Sequence, residues 1–139
     1  MESTVMILKP DAVEANIIGK VLSRIESDGM QVKRLRMQNL TEDQATEFYA
    51  EHEGKEFYER LINFMVSGPV VTAVIEGVNA ISRLRKLMGA TVPEEAAPGT
   101  IRGEYGTGSP QNIIHGSDSP ESAAREIQFF FDREEKTDE

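Results

Sequence analysis

Short apolar runs alternate along this chain with segments whose apolar residues recur at helical spacing, which restricts it to folds of one sheet with flanking helices. Val5-Met6-Ile7-Leu8 is a continuous apolar run, too short for a helix and typical of a strand buried on both faces. Lys9-Pro10 ends it, and the residue before a proline is held extended, so Lys9 projects from the strand's end. Ile17, Ile18, Val21, Leu22 and Ile25 then repeat at helical spacing, with Gly29 as the stop. A second strand is expected over residues 32–40, Leu35 and Met37 alternating with Arg34 and Arg36.

Thr41-Glu42-Asp43-Gln44 has the form of a capping box and opens a helix through Phe48 and Tyr49. A further helical stretch covers residues 56–65, with Phe57, Leu61 and Phe64/Met65 on one face. After the turn Ser67-Gly68-Pro69, a buried strand runs over residues 70–75 to Gly77, and Asn79 caps a helix reaching Met88. Residues 89–111 hold five glycines and three prolines and read as one long loop, usually a functional feature in a compact domain. Asn112-Ile113-Ile114-His115 is a short last strand. Ser119-Pro120 starts a last helix whose buried stripe is Ala123, Ile127, Phe130 and Phe131, and the acidic tail from Asp132 is solvated. The order β-α-β-(α-α)-β-α-loop-β-α suits an α+β fold of the ferredoxin-like kind, a four-stranded antiparallel sheet covered by helices. With no repeat or linker, residues 1–139 read as a single domain.

Charge narrows the function. Fifteen basic residues stand against 24 acidic ones, and the net charge of −9 argues against nucleic acid or an anionic membrane as partner. The absence of cysteine excludes a disulfide scaffold, thiolate metal sites and cysteine nucleophiles, and fits a reducing compartment. No apolar run approaches the roughly 18 residues of a membrane span. Met1-Glu2-Ser3-Thr4 lacks the basic start of a signal peptide, so the expected location is the cytoplasm.

Imidazole chemistry has two candidates. His52, in Ala50-Glu51-His52-Glu53, reads as a solvated residue at a polar helix end. His115 ends an apolar strand just before the Ser119-Pro120 helix start, whose unpaired N–H groups suit a phosphate. Gly116 would spare an approaching ligand a side chain. Glu126, on the flank of the helix stripe, is a plausible carboxylate partner that fixes the imidazole tautomer. The alternative is a satisfied core histidine. In so acidic a chain an anion site must be built from a few cations, and the candidates are Lys9, Arg85 and Arg102. Arg102 lies in Gly99-Thr100-Ile101-Arg102-Gly103, where glycines would let the backbone approach a ligand, whereas Arg34 and Arg36 point outward on their strand. Neither standard glycine-rich phosphate loop, metal-ligand spacing nor a serine-hydrolase elbow is present.

Taken together, Asn112-Ile113-Ile114-His115-Gly116-Ser117-Asp118-Ser119 resembles the active-site signature of nucleoside diphosphate kinases. The resemblance spans about residues 4–135 and includes the segments 5–13, 48–65, Ser67-Gly68-Pro69-Val70-Val71 and 98–103. It implies a ferredoxin-like fold with the long loop near the active site, and transfer of a terminal phosphoryl group from a nucleoside triphosphate, mainly ATP, to a nucleoside diphosphate. Carried over by position, His115 is the nucleophile that becomes phosphohistidine, oriented by Glu126 and Ser117. Lys9 and Asn112 would bind sugar hydroxyls, Lys9 also lying near the transferring phosphate. Arg85, Thr91 and Arg102 would hold phosphates, Phe57 would stack on the base, and Tyr49 and Leu61 would support the site. Mg2+ would ride on the nucleotide, with Asp118 reaching it through water and no direct protein ligand.

The partners expected are nucleotides and further copies of the chain, as a tetramer or hexamer. Three departures stand out: Ser109 where the family usually has an apolar residue on the base's other face, Thr91-Val92-Pro93 in place of Thr-Asn-Pro, and a short C-terminus. The last leaves tetramer against hexamer open. A competing class is a nucleotide-binding module without turnover, against which the intact set Lys9, Arg85, Arg102, Asn112, His115 and Glu126 argues. A ligand-sensing domain on the same topology rests on the fold alone.

Overall fold

The computed structural model describes residues 1–90, 95–106 and 112–132. They form a four-stranded sheet of order β2-β3-β1-β4, from β1 (Glu2–Leu8), β2 (Gln31–Gln38), β3 (Val70–Gly77) and β4 (Ile114–Gly116). Every pairing is antiparallel, with Met6 opposite Ala73 on β3 and Ile7 opposite His115 on β4. This is the ferredoxin-like α+β arrangement, with helices on both faces.

The run Val5 to Leu8 explains the layering. Successive side chains of a strand point to opposite faces, so Met6 and Leu8 enter one core and Val5 and Ile7 the other. The first core is closed by α2 (Ile18–Ser27), through Val21 and Ile25, and by α5 (Ala80–Met88), through Leu84 and Met88. The second is closed by α3 (Glu42–Phe48) and α4 (Tyr58–Met65), through Ala45, Leu61, Ile62 and Met65, with Phe130 beyond α7 (Pro120–Ile127). The Thr41–Gln44 capping box is present in both halves.

The structure corrects several expectations. A five-residue helix, α1 (Pro10–Glu14), follows β1, and Lys9 at its start is buried. Asn79 occupies the start of α5 with φ 55° but makes no side-chain cap; the Glu2 carboxylate accepts from Ile81 N–H instead, at 2.8 Å. The long loop contains a helix, α6 (Ile101–Tyr105), capped by the Thr100 hydroxyl on Gly103 N–H. Arg24 of α2 holds this segment by an ion pair with Glu104 and a 2.7 Å bond to the Gly99 carbonyl. After Ile127 the chain widens into one π-helical turn, Gln128–Asp132, still carrying Phe130 and Phe131 inward of Asp132.

On β2 the alternation holds but its apolar side is uncovered. A bulge between Val32 and Arg34 precedes Leu35 and Met37, which are 54% and 56% exposed at the sheet's edge. Arg34 and Arg36 do not simply face solvent. Arg34 pairs with Asp132 at 2.7 Å, and Arg36 donates to the Phe130 carbonyl at 3.1 Å with its guanidinium 5.7 Å from the Phe131 ring. Together they fasten the π turn to the sheet.

Candidate active site

Two segments far apart along the chain meet where β1 and β4 pair. Lys9 N–H donates to the Ile113 carbonyl at 2.8 Å, and Ile113 N–H donates to Asp11 Oδ2 at 3.1 Å. Ile113 is held at φ 75°, a region that costs a β-branched residue strain and that persists only where surroundings enforce it. Here Asp11 and a buried side chain enforce it. The kink brings Asn112 beside Lys9, whose ammonium donates to Asn112 Oδ1 at 2.6 Å.

His115 sits on β4, 25% exposed, its Nε2 3.1 Å from Oε1 of Glu126. Glu126 comes from α7 and is almost wholly buried. The same Oε1 accepts from the Ser117 hydroxyl at 2.7 Å, and that hydroxyl accepts from Val5 N–H at 3.1 Å. The imidazole is thus tied through one carboxylate to the middle of the sheet. A carboxylate oxygen only accepts, so Nε2 is the nitrogen that donates to Glu126, and Nδ1 is the one left for chemistry.

His115 opens on a cleft of about 450 Å3 lined also by Lys9, Tyr49, Phe57, Leu61, Arg85, Arg102, Asn112 and Asp118. Every expected site residue that lies in the described segments, except Ser117 behind Glu126, therefore lines one hollow. Thr91 and Ser109 lie outside the described residues. Three cations converge, and their charges interact. Burial first, then the Arg102 charge, lowers the Lys9 ammonium to about 8. Burial and then the Arg85 charge lower Arg102 to about 10. Desolvation, with repulsion added to it, marks a place where an anion would favour the charged forms. Asp118, at the rim, is held below the usual carboxylate range by the hydrogen bond from Ser122. Burial, and then the Glu126 charge, keep Tyr49 protonated; its hydroxyl has no hydrogen-bond partner among the described residues.

Some roles differ from the sequence reading. Arg102 donates to three carbonyls, Asn112 at 3.2 Å, Gly89 at 3.0 Å and Ile114 at 2.6 Å, so it clamps the site's backbone besides charging the cleft. Gly103 is required by the Ala97 carbonyl, 2.3 Å from where a Cβ would stand, while a Cβ at Gly116 would press on the movable Met88 sulfur. Gly116 itself lines the cleft, whereas Gly103 answers to the backbone beside it. His52 is no bystander: it lines the cleft 5.5 Å from the Phe57 ring and 3.1 Å from Lys55 Nζ. Sequence reasoning missed Asp11, Phe48 and Arg125. Asp11 and Phe48 act across long separations that no local pattern records, and Arg125 stands next to Glu126 on the same helix end.

Among the described residues no helix is long and apolar enough to cross a membrane, and no cluster of three histidines or carboxylates could hold a metal by itself. The sequence model of the nucleoside diphosphate kinase family matches residues 2–136. A nucleoside diphosphate kinase of Methanococcus maripaludis is 55% identical over 133 residues, covering 96% of this chain and all of that protein. The solved nucleoside diphosphate kinase of Aquifex aeolicus superimposes with a TM-score of 0.91 at 49% identity, covering 94% of each chain. That of Halobacterium salinarum, solved in complex with CDP, gives 0.92 at 44% identity over 94% of this chain and 88% of its own.

Proposed function

The chain belongs to the nucleoside diphosphate kinase family of phosphotransferases, and from that premise we propose that it works by a two-step exchange through His115. In the first half-reaction the Nδ1 lone pair attacks the terminal phosphorus of a nucleoside triphosphate, chiefly ATP. The bond from that phosphorus to the bridging oxygen breaks, and the electron pair leaves with the diphosphate. In the second, a terminal oxygen of another nucleoside diphosphate attacks the phosphohistidine, and the P–N electrons return to Nδ1. One covalent intermediate so serves two similar half-reactions.

The observation that carries this reading is the His115–Glu126 pair at 3.1 Å, opening on a cleft charged by Lys9, Arg85 and Arg102. Phosphoryl transfer asks a protein mainly for alignment and for cations around the equatorial oxygens. Glu126 and Ser117 orient the ring; Lys9 and Asn112 serve sugar hydroxyls, with Lys9 also near the phosphate; Arg85, Arg102 and Thr91 hold phosphates. Phe57 offers its face to the base, with Leu61 and Tyr49 lining the wall. The donor set suits magnesium brought by the nucleotide: an ionised Asp118 at the rim would accept a hydrogen bond from a water on the ion, which would supply positive charge to the phosphate oxygens. Exposed Leu35 and Met37 on an edge strand support assembly into a symmetric homo-oligomer, tetramer or hexamer. A cysteine-free chain needs no oxidising compartment, which supports a cytoplasmic location.

The test is incubation with γ-labelled ATP. Label that is acid-labile and base-stable, and that a nucleoside diphosphate chases off, is expected for the wild type and absent in His115→Ala, with exchange reduced by many orders of magnitude. Wild-type exchange by that variant would refute the reading.

A further inference from the structure

We infer that Phe48 is a positioning residue for the nucleophile: its ring sets the plane of the His115 imidazole, which the Glu126 hydrogen bond alone leaves free to turn. The inference rests on the reading of His115 as phosphoryl acceptor. A torsion about Cβ–Cγ of histidine has broad wells, so the ring's plane must be fixed by what surrounds it. Nε2 lies nearer the Cβ–Cγ axis than Nδ1 does. A tether at Nε2, the 3.1 Å contact to Glu126, is therefore stretched little by a turn that swings Nδ1 through a larger arc. Nδ1 is the atom whose direction in-line attack requires, and misplacing a reacting atom by about 1 Å costs on the order of a hundredfold in rate.

Phe48 supplies the missing restraint. Its ring meets the imidazole edge-to-face, with centroids 5.6 Å apart and planes at 75°. Aromatic pairs favour edge-to-face or offset arrangements over a face-to-face sandwich. The phenyl ring is itself pinned on three sides, by Tyr49 at 4.8 Å, Phe130 at 5.0 Å and Phe129 at 5.5 Å between centroids. Phe129 and Phe130 belong to the π turn that directly continues α7, the helix carrying Glu126. The plane and the tether of His115 are thus set from one joined unit. Phe48 also stands, with Arg125 and Glu126, between the cleft and a second hollow, of about 450 Å3, whose other lining residues are Glu47, Gln128, Phe129 and Asp132. Without that ring the imidazole's flank would open onto this space.

The experiment compares Phe48→Tyr, which keeps the ring, with Phe48→Leu, which keeps the apolar bulk, in the full chain. Phe48→Met stands in if the leucine variant does not melt cooperatively. Single-turnover phosphorylation by labelled ATP and steady-state exchange are both measured. The expected result is a rate of phosphoenzyme formation and a kcat reduced about tenfold or more in the ringless variant, KM within about twofold, and near wild-type rates in Phe48→Tyr. A ringless variant as fast as wild type, a loss that falls in KM, or equal losses in Phe48→Tyr and Phe48→Leu would each overturn the inference while leaving His115 as acceptor. A wild type that forms no phosphoenzyme would overturn the His115 reading itself, and this inference with it.

Discussion

The ammonium of Lys9, at the end of β1, donates a 2.6 Å hydrogen bond to Asn112 Oδ1, just before β4. Burial first, then the Arg102 charge, with the Asp11 carboxylate partly offsetting them, lowers its folded pKa to about 8 from an ordinary 10.5. Two consequences run in opposite directions. Between those values the unfolded chain holds the proton that the folded chain has lost, so the Lys9 contribution to stability rises with pH. If Lys9 lies near the transferring phosphate as proposed, it acts in its charged form, so kcat/KM, which reports the free enzyme, should fall as pH passes about 8. In Lys9→Gln both limbs should vanish, leaving a lower and flatter profile. A wild-type alkaline limb retained by that variant would assign the titration to another group.

Ser117 holds two buried partners at once, accepting from Val5 N–H and donating to Glu126 Oε1. Ser117→Ala removes the acceptor from a strand N–H and the second donor from the carboxylate. Leaving a buried group unsatisfied costs about 1–3 kcal/mol, to be read from urea unfolding. Turnover should fall about tenfold, with KM little altered, because the loosened Glu126 no longer fixes His115. Unchanged stability would mean that Val5 N–H has another acceptor.

Periodicity carried most of the fold and proximity most of what it missed. Val5 to Leu8 is legible as a doubly buried strand because both faces of the sheet claim its side chains. The Thr41–Gln44 box is legible because both partners lie within one turn. Glu126 on the stripe's flank beside His115 could likewise be placed from helix spacing. Interactions across the chain leave no such trace. Nothing local to Asp11 announces Ile113, and nothing in Glu2 announces that it caps α5. Gly103 misleads too, since it is the Ala97 carbonyl, 2.3 Å from where its Cβ would stand, that demands a glycine there. On β2 the alternation correctly sorts the faces, but it cannot say that no helix reaches Leu35 and Met37.

Asp11 tests how the kink before β4 is maintained. Its Oδ2 accepts from Ile113 N–H at 3.1 Å and its Oδ1 from Ala12 N–H at 3.1 Å, while burial, the dominant influence, raises its pKa above 3.8. A raised folded pKa means that the folded chain holds the extra proton, so this residue's contribution to stability falls as pH rises through the window above 3.8. Asp11→Asn removes the titration, and its stability relative to wild type should climb over that window in thermal melts. Asp11→Ala should instead cost about 1–3 kcal/mol, from the orphaned Ile113 N–H. It should also raise the nucleotide KM as Asn112 and Lys9 lose their placement. An Asp11→Ala variant with wild-type KM would show that the backbone keeps its kink without help.

Phe57, proposed above to stack on the base, lines the cleft 39% exposed at the start of α4, with the His52 ring 5.5 Å away. Stacking on such a ring is worth about 1–3 kcal/mol per base and is tolerant of sequence, because every base has a π-face. Phe57→Ala should therefore weaken nucleoside diphosphate binding by about 5- to 150-fold, for purines and pyrimidines alike, with purines losing somewhat more through their larger rings. Stability should stay within about 0.5 kcal/mol of wild type, since so exposed a ring closes neither core. Calorimetric titration with ADP, GDP, CDP and UDP reads the loss directly. A loss confined to one base would mean that the position discriminates base edges. Unaltered affinity for all four would place the base elsewhere in the cleft, against His52 and Tyr49 rather than on Phe57.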